Sequence, residues 1–247
     1  ALMFGGTGSG KSFHVSMLIE NALSQGQHVT IIDIQGPEIS SYRKMTELFG
    51  GQYYALADSE QDICLNPFLP HNQMFSEEGI DTEQLAFLEN LVVMIASPDY
   101  LKGPDAKFYR SVARTAIEQA YVVTQDTGRQ PILSDIQGLL KEYEGPEEEY
   151  NSYARPLYLQ LKAWLGDKRH HKLFNRSKEF SLTGSFQVFD FFGLKEDPAL
   201  GGILLLVCSH LFWNQLKRLE RSSNKMVVFD EAWALIQNEA GAELIQS

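Results

Sequence analysis

The residues able to do chemistry lie in two short stretches near opposite ends of the chain. The first is GGTGSGKS, Gly5 to Ser12, which matches G-x-x-x-x-G-K-S and runs straight into a helical pattern. Its glycines let the backbone wrap closely round a polyphosphate, so that successive N–H groups point inward. The helix that starts there aims the positive end of its dipole at the same anion. Gly6, Thr7, Gly8, Ser9, Gly10, Lys11, Ser12 and Phe13 are the candidate nucleotide-binding residues. Lys11 would reach the β- and γ-phosphates, and the Ser12 hydroxyl would bind Mg²⁺.

The second stretch is MVVFDEAW, Met226 to Trp233. Four apolar residues predict a strand buried on both faces, yet it finishes in Asp230 and Glu231. Two carboxylates there cost on the order of several kcal/mol each to desolvate unless something opposes them. In a parallel sheet the loops after neighbouring strands converge on the ligand, which supplies that partner. Asp230 is then placed to hold Mg²⁺ through a water, and Glu231 to orient or deprotonate the water attacking the γ-phosphate. The nucleotide reads as ATP. Asn224-Lys225-Met226-Val227 begins like a guanine-reading N-K-x-D but has Val227 where the aspartate belongs, and there is no LSGGQ-like signature.

The elements that must position these groups follow from periodicity. A helix is predicted over Lys11–Gln25 and stopped by Gly26, a strand over His28–Ile34, a helix over Glu38–Phe49 and a strand over Gln52–Ala57. That order belongs to an α/β fold, a parallel sheet with crossover helices. From Asp81 to Leu165 nearly every periodic stretch is helical, and Leu85, Leu88, Leu91, Val92 and Ile95 share one face. Further helices are predicted over Asp105–Val123, over Ser134–Tyr143 behind a Ser134/Gln137 capping box, and over Tyr150–Leu165 with Pro156 inside or at its entry. Sheet character returns at Gln187–Phe192. A helix over Pro198–Leu219 contains the longest apolar run, too short for a membrane span and read as a buried core helix.

Composition sets outer bounds. Lys and Arg total 21 against 32 Asp and Glu, a net charge of −11, so contact with DNA would need a local basic patch. Asp167–Lys178 is the one basic run and reads first as a solvated connector. Cys64 and Cys208 are the only cysteines; Cys208, in an apolar helical stretch, reads as a buried inert thiol, and a reducing cytoplasm fits. Asp190, at the end of a buried strand, is read first as a cap or backbone hydrogen-bond acceptor, with a place lining the nucleotide cleft as the alternative. Tyr109, Tyr121, Tyr153, Tyr158 and Trp164 are expected to pack the helical part. Both ends read as cut from a longer chain.

Five stretches in this order, GGTGSGKS, IIDIQGPEISSYRKM, CLNPF, VFDFFGL and VVFDEAWALI, resemble the C-terminal ATPase domain of the type IV secretion and conjugative-transfer assembly ATPases. These TraC-like proteins belong to the HerA/FtsK branch of RecA-like P-loop ATPases. The resemblance implies a RecA-like sheet in two parts, 1–75 and 181–247, with an all-helical subdomain inserted over 76–180. It implies a homo-hexamer that hydrolyses ATP with Mg²⁺ and powers pilus assembly and substrate transfer. Its place would be cytoplasmic, peripheral to the bacterial inner membrane and in contact with other secretion subunits. Lys11 and Ser12 carry over as Walker A residues, Asp230 and Glu231 as Walker B residues. The family's later glutamine motif and arginine finger are not within these residues, so this stretch alone would bind nucleotide and hydrolyse it poorly. Where DNA-translocating members have D-P-x-G-E, the chain reads Asp33-Ile34-Gln35-Gly36-Pro37-Glu38, which argues against a direct catalytic role for Glu38. Two rivals stay open: a DNA-translocating coupling protein, and a nucleotide-responsive scaffold that binds ATP without turning it over.

Overall fold

Left-handed glycines mark the first boundaries. Gly10 at φ 78° leads into α1 (Lys11–Ser24), and Gly26 at φ 71° turns the chain into β1 (His28–Asp33). α2 (Tyr42–Phe49) ends at Gly50, φ 66°, and β2 (Gln52–Ala55) follows. Next come α3 (His71–Met74), the short hairpin β3 (Phe75–Ser76) and β4 (Gly79–Ile80), α4 (Thr82–Ala96), α5 (Ala106–Gln125) and α6 (Leu133–Lys141). α7 (Glu148–Leu165), α8 (Lys168–Phe174), β5 (Phe186–Asp190), α9 (Pro198–Arg218) and β6 (Lys225–Asp230) complete the order. The structure, a computed structural model, describes residues 10–36, 38–58, 60–77, 79–143, 148–178, 184–194, 196–218 and 224–230.

The described residues fall into two units. The first draws on the described residues within 1–61, 182–198 and 210–235, the second on those within 62–181 and 199–209. The first unit is a parallel sheet in the order β2-β5-β1-β6. Ile19 and Ala22 of α1, Tyr42 and Met45 of α2, and Val29, Ile31, Phe186 and Val188 of the sheet form its core on one face. On the other face Phe189 stacks on Tyr54 at 4.8 Å and meets Phe212 at 4.6 Å. Gly51 sits where a Cβ would lie 2.6 Å from the Phe186 ring, so only glycine fits this approach.

Two expectations need correction here. α2 starts at Tyr42, four residues later than Glu38, because the chain first turns: the N–H groups of Ile39 and Ser40 both donate to Gly36 O. β6 is not buried on both faces. Met226 and Val228 pack on the core, while Val227 and Phe229 on the other side are 36% and 51% exposed. Among the described residues β6 pairs with β1.

The second unit is almost wholly helical. Leu85, Leu88, Leu91, Val92 and Ile95 of α4 are buried as their spacing requires, against α5 and α7. Asp81 caps α4 by accepting from Gln84 N at 2.9 Å. α6 begins at Leu133, and its capping acid is Asp135, which accepts from Ile132 N at 2.9 Å; Ser134 instead gives its N–H to Asn175. Pro156 lies inside α7. The basic run is not a bare connector, since Asp167 caps α8 and Leu173 and Phe174 are buried. Arg176 and Lys178 both pair with Asp62, which holds that carboxyl at about 2.

CLNPF is an irregular buried stretch held by side chains. Asn66 Nδ2 donates to Pro131 O at 3.0 Å while its Oδ1 accepts from Phe68 N at 3.2 Å. Gln84 donates to Pro67 O, Gln130 to Phe68 O and the Tyr121 hydroxyl to Leu69 O. Backbone groups that no helix or strand could satisfy are thereby paired. Tyr109 stacks on Tyr100 at 4.2 Å, Tyr153 on Phe108 at 5.0 Å, and Trp164 packs on Phe174, the packing roles expected of them. Cys64 and Cys208 are buried thiols. Burial raises the pKa of both. Among the described residues no helix is long and apolar enough to cross a membrane.

Candidate functional site

Three strands of the sheet end on aspartate. In the parallel ladders Asp33 of β1 is the register partner of Asp190 of β5 on one side and of Asp230 of β6 on the other. Neighbouring strands lie about 4.8 Å apart, so three like charges in a row would repel strongly without help. Help comes from hydroxyls carried by other segments. Ser40 Oγ donates to Asp33 Oδ2 at 2.5 Å, Tyr53 OH to Asp190 Oδ2 at 2.8 Å, and Tyr42 OH to Asp230 Oδ2 at 2.7 Å.

The three are not equivalent. Asp33 Oδ1 also accepts from Gln35 N at 2.9 Å, and Asp190 Oδ1 from Phe192 N at 2.8 Å. Each of these aspartates closes an Asx turn two residues on, and both its oxygens are taken by protein. The sequences agree, Asp33-Ile34-Gln35-Gly36 and Asp190-Phe191-Phe192-Gly193 both being D-x-x-G at the end of an apolar run. Gly36, at φ 88°, lies against the Phe192 ring, where a Cβ would come to 2.5 Å; a Cβ on Gly193 would come to 2.3 Å from Ala57 Cβ. Consecutive turns thus lean on one another along the sheet edge. Asp230 differs: among the described residues it takes one hydrogen bond, from Tyr42.

Burial raises the Asp33 carboxyl above the ordinary carboxylate range. Its bonds from Ser40 and Gln35 pull it back, and the charges of Asp190 and Asp230 push it further up. Tyr42 is raised by burial and then by Asp230, Tyr53 by burial and then by Asp190, so both hydroxyls stay protonated donors.

The start of α1 approaches the same edge. α1 has 14 residues, about 21 Å at 1.5 Å each, and β1 has 6, about 20 Å at 3.3 Å each. They pack through Ile19 and Ala22 against Val29 and Ile31 after the turn at Gly26, so the first turn of α1 lies toward the end of β1 at Asp33. Gly10 gives α1 no side-chain cap, and its first turn holds no acid, which leaves an N-terminus suited to an anion. Ser12 and Phe13 are exposed on that turn, Phe13 by 67%. Lys11 opens the helix; its side chain, like Gly6, Thr7, Gly8, Ser9 and Glu231, lies outside the described residues. Ser12 and Asp230 offer hydroxyl and carboxylate oxygens, the hard donors that Mg²⁺ takes, so the residues present fit the nucleotide and its metal. Glu38 is exposed and precedes α2, with no place in the row.

Sequence reasoning did not single out Ser40, Tyr42, Tyr53 or the role of Asp33. The repeated D-x-x-G was the available signal for the aspartates; the hydroxyls had none, since each reaches its acceptor from another segment.

The fold is that of VirB4 of Thermoanaerobacter pseudethanolicus, with a TM-score of 0.72 at 20% identity. The alignment covers 98% of this chain and 62% of that one, so the chain spans under two thirds of its length. No curated protein matches the chain. The model of the TraG P-loop domain matches residues 1–247, the whole of the sequence, and the chain belongs to that family.

Proposed function

We propose that this chain is the ATPase motor domain of a type IV secretion or conjugation machine, hydrolysing ATP with Mg²⁺ to drive pilus assembly and substrate transfer. The observation that carries the reading is the meeting of two features at one sheet edge. One is the uncapped, glycine-led start of α1; the other is Asp230, whose carboxylate takes one hydrogen bond among the described residues. The metal, when bound, neutralises charge on the β- and γ-phosphates. Backbone N–H groups from Gly6 to Ser12 cradle the phosphates, Lys11 neutralises their terminal oxygens, and Ser12 and Asp230 hold the metal. Glu231 orients the attacking water and accepts its proton. The working form is a homo-hexamer at the inner membrane, in which a neighbouring subunit completes the site.

The DNA-pumping reading is weakened by the net charge of −11. ATPase activity of the full-length protein at low salt should not respond to added DNA; strong stimulation would favour the coupling-protein reading. The direct test uses Lys11→Ala and Glu231→Gln in the full-length protein. Both should abolish turnover, and Glu231→Gln should still bind ATP. Normal turnover by Glu231→Gln would remove Glu231 as the base. Assembly supported in cells by these inactive chains would favour the scaffold.

A further inference from the structure

We propose that Tyr42 is a positioning residue for the metal-side carboxylate, fixing Asp230 through its hydroxyl so that the other carboxylate oxygen serves Mg²⁺. The inference rests on the reading of Asp230 given above. Tyr42 opens α2, and its ring is buried in the sheet core with Ile31 and Met45, only 3% exposed. A ring held in that way cannot follow a wandering carboxylate. Its hydroxyl donates to Asp230 Oδ2 at 2.7 Å across 188 residues of sequence, tying α2 to β6.

The same entry into α2 supplies Ser40 to Asp33, so one short segment fixes two neighbouring strand ends. Its shape is set upstream, where Gly36, at φ 88°, accepts from Ile39 N and Ser40 N at 3.2 and 3.0 Å. The Asp33 carboxylate is consumed at both oxygens, whereas Tyr42 takes one oxygen of Asp230. A partner that orients a metal-binding carboxylate while leaving an oxygen to the metal is the usual outer-shell arrangement. Tyr53 gives the control, being a tyrosine of the same chemistry on Asp190, whose second oxygen is already closed by Phe192 N.

The test uses the full-length protein and a fluorescent ATP analogue, titrated first in EDTA and then with magnesium added back. Tyr42→Phe should bind the analogue in EDTA as the wild type does. It should need about tenfold more magnesium to reach half of the metal-dependent gain in affinity. Tyr53→Phe should need the wild-type amount. Thermal melts of both variants in EDTA establish that the fold is intact. A wild-type magnesium requirement in Tyr42→Phe overturns the proposal, as does an equal shift in both tyrosine variants, or a loss of binding already present in EDTA. Asp230→Asn separates the two readings. If it abolishes the magnesium effect while Tyr42→Phe does not alter it, the positioning role alone falls. If it too keeps the wild-type magnesium effect, Asp230 is not the metal-side carboxylate.

Discussion

Asp33 and Asp190 stand side by side at the last rung of the β1–β5 ladder, each with both carboxylate oxygens bonded by its own turn and by a hydroxyl from elsewhere. Asp33 is fully buried, and burial raises its pKa in the folded state above the ordinary 3.8. Between those two values the folded protein holds a proton that the unfolded chain releases, so stability falls as pH rises through that window. Asp33→Asn removes the titration and keeps an acceptor for Gln35 N. Denaturant unfolding from pH 4.5 to 8 should show the variant gaining on the wild type as pH rises, with the gap closing toward acid. A gap that widens toward acid would contradict the raised pKa.

The turns along the sheet edge are set by glycine contact, and two glycines should respond oppositely to alanine. Gly193→Ala forces a methyl onto Ala57 and should cost about 1–3 kcal/mol. Gly138 lies within α6 with open space where its Cβ would go, and Gly138→Ala should gain up to about 1 kcal/mol. Thermal unfolding of the two variants checks both signs.

Asn66 closes CLNPF from both sides, donating to one buried backbone group and accepting from another. Asn66→Ala strands Pro131 O and Phe68 N, at roughly 1–3 kcal/mol for each group left unpaired. Hydrogen exchange should show protection lost around 65–69 and 130–134 before it is lost in α4. Uniform loss over the whole chain would mean that the motif has no local role.

Glu89 of α4 is 7% exposed and pairs with Arg114 of α5 at 2.6 Å. Arg114→Ala leaves that carboxylate buried without its cation and should destabilise by about 1–3 kcal/mol, less than a fully buried pair because the arginine is half exposed. Adding Glu89→Gln should recover most of the loss in denaturant titrations. Additive losses would show that the charge pair is not the cause.

The parallel sheet and the helical stretches were legible because their periodicities differ and their glycine stops are local. Leu85 to Ile95 show a helical face, and His28 to Ile34 a β-branched run, without reference to anything distant. Glu38 misled because an acid before an apolar pattern resembles a helix start, whereas Gly36 had already turned the chain. β6 misled because four apolar residues in a row do not say that only Met226 and Val228 face the core. At the site, Gly10, Ser12 and Asp230 were visible as parts of linear motifs. Tyr42 was not, since its meaning depends on an acceptor 188 residues away.

That separation also governs the order in which the molecule can form. Thr30 of β1 meets Gln187 of β5 across 157 residues, with the helical unit encoded between them. Helices α4 to α7 pack on neighbours close in sequence and close only short loops, so they can fold while the chain is still being made. β1 and β2 leave the ribosome before β5, and must wait for it with their apolar strands unpaired. Delivery of a finished sheet therefore depends on how fast the intervening helices collapse, and slow collapse exposes β1 to pairing with another nascent chain.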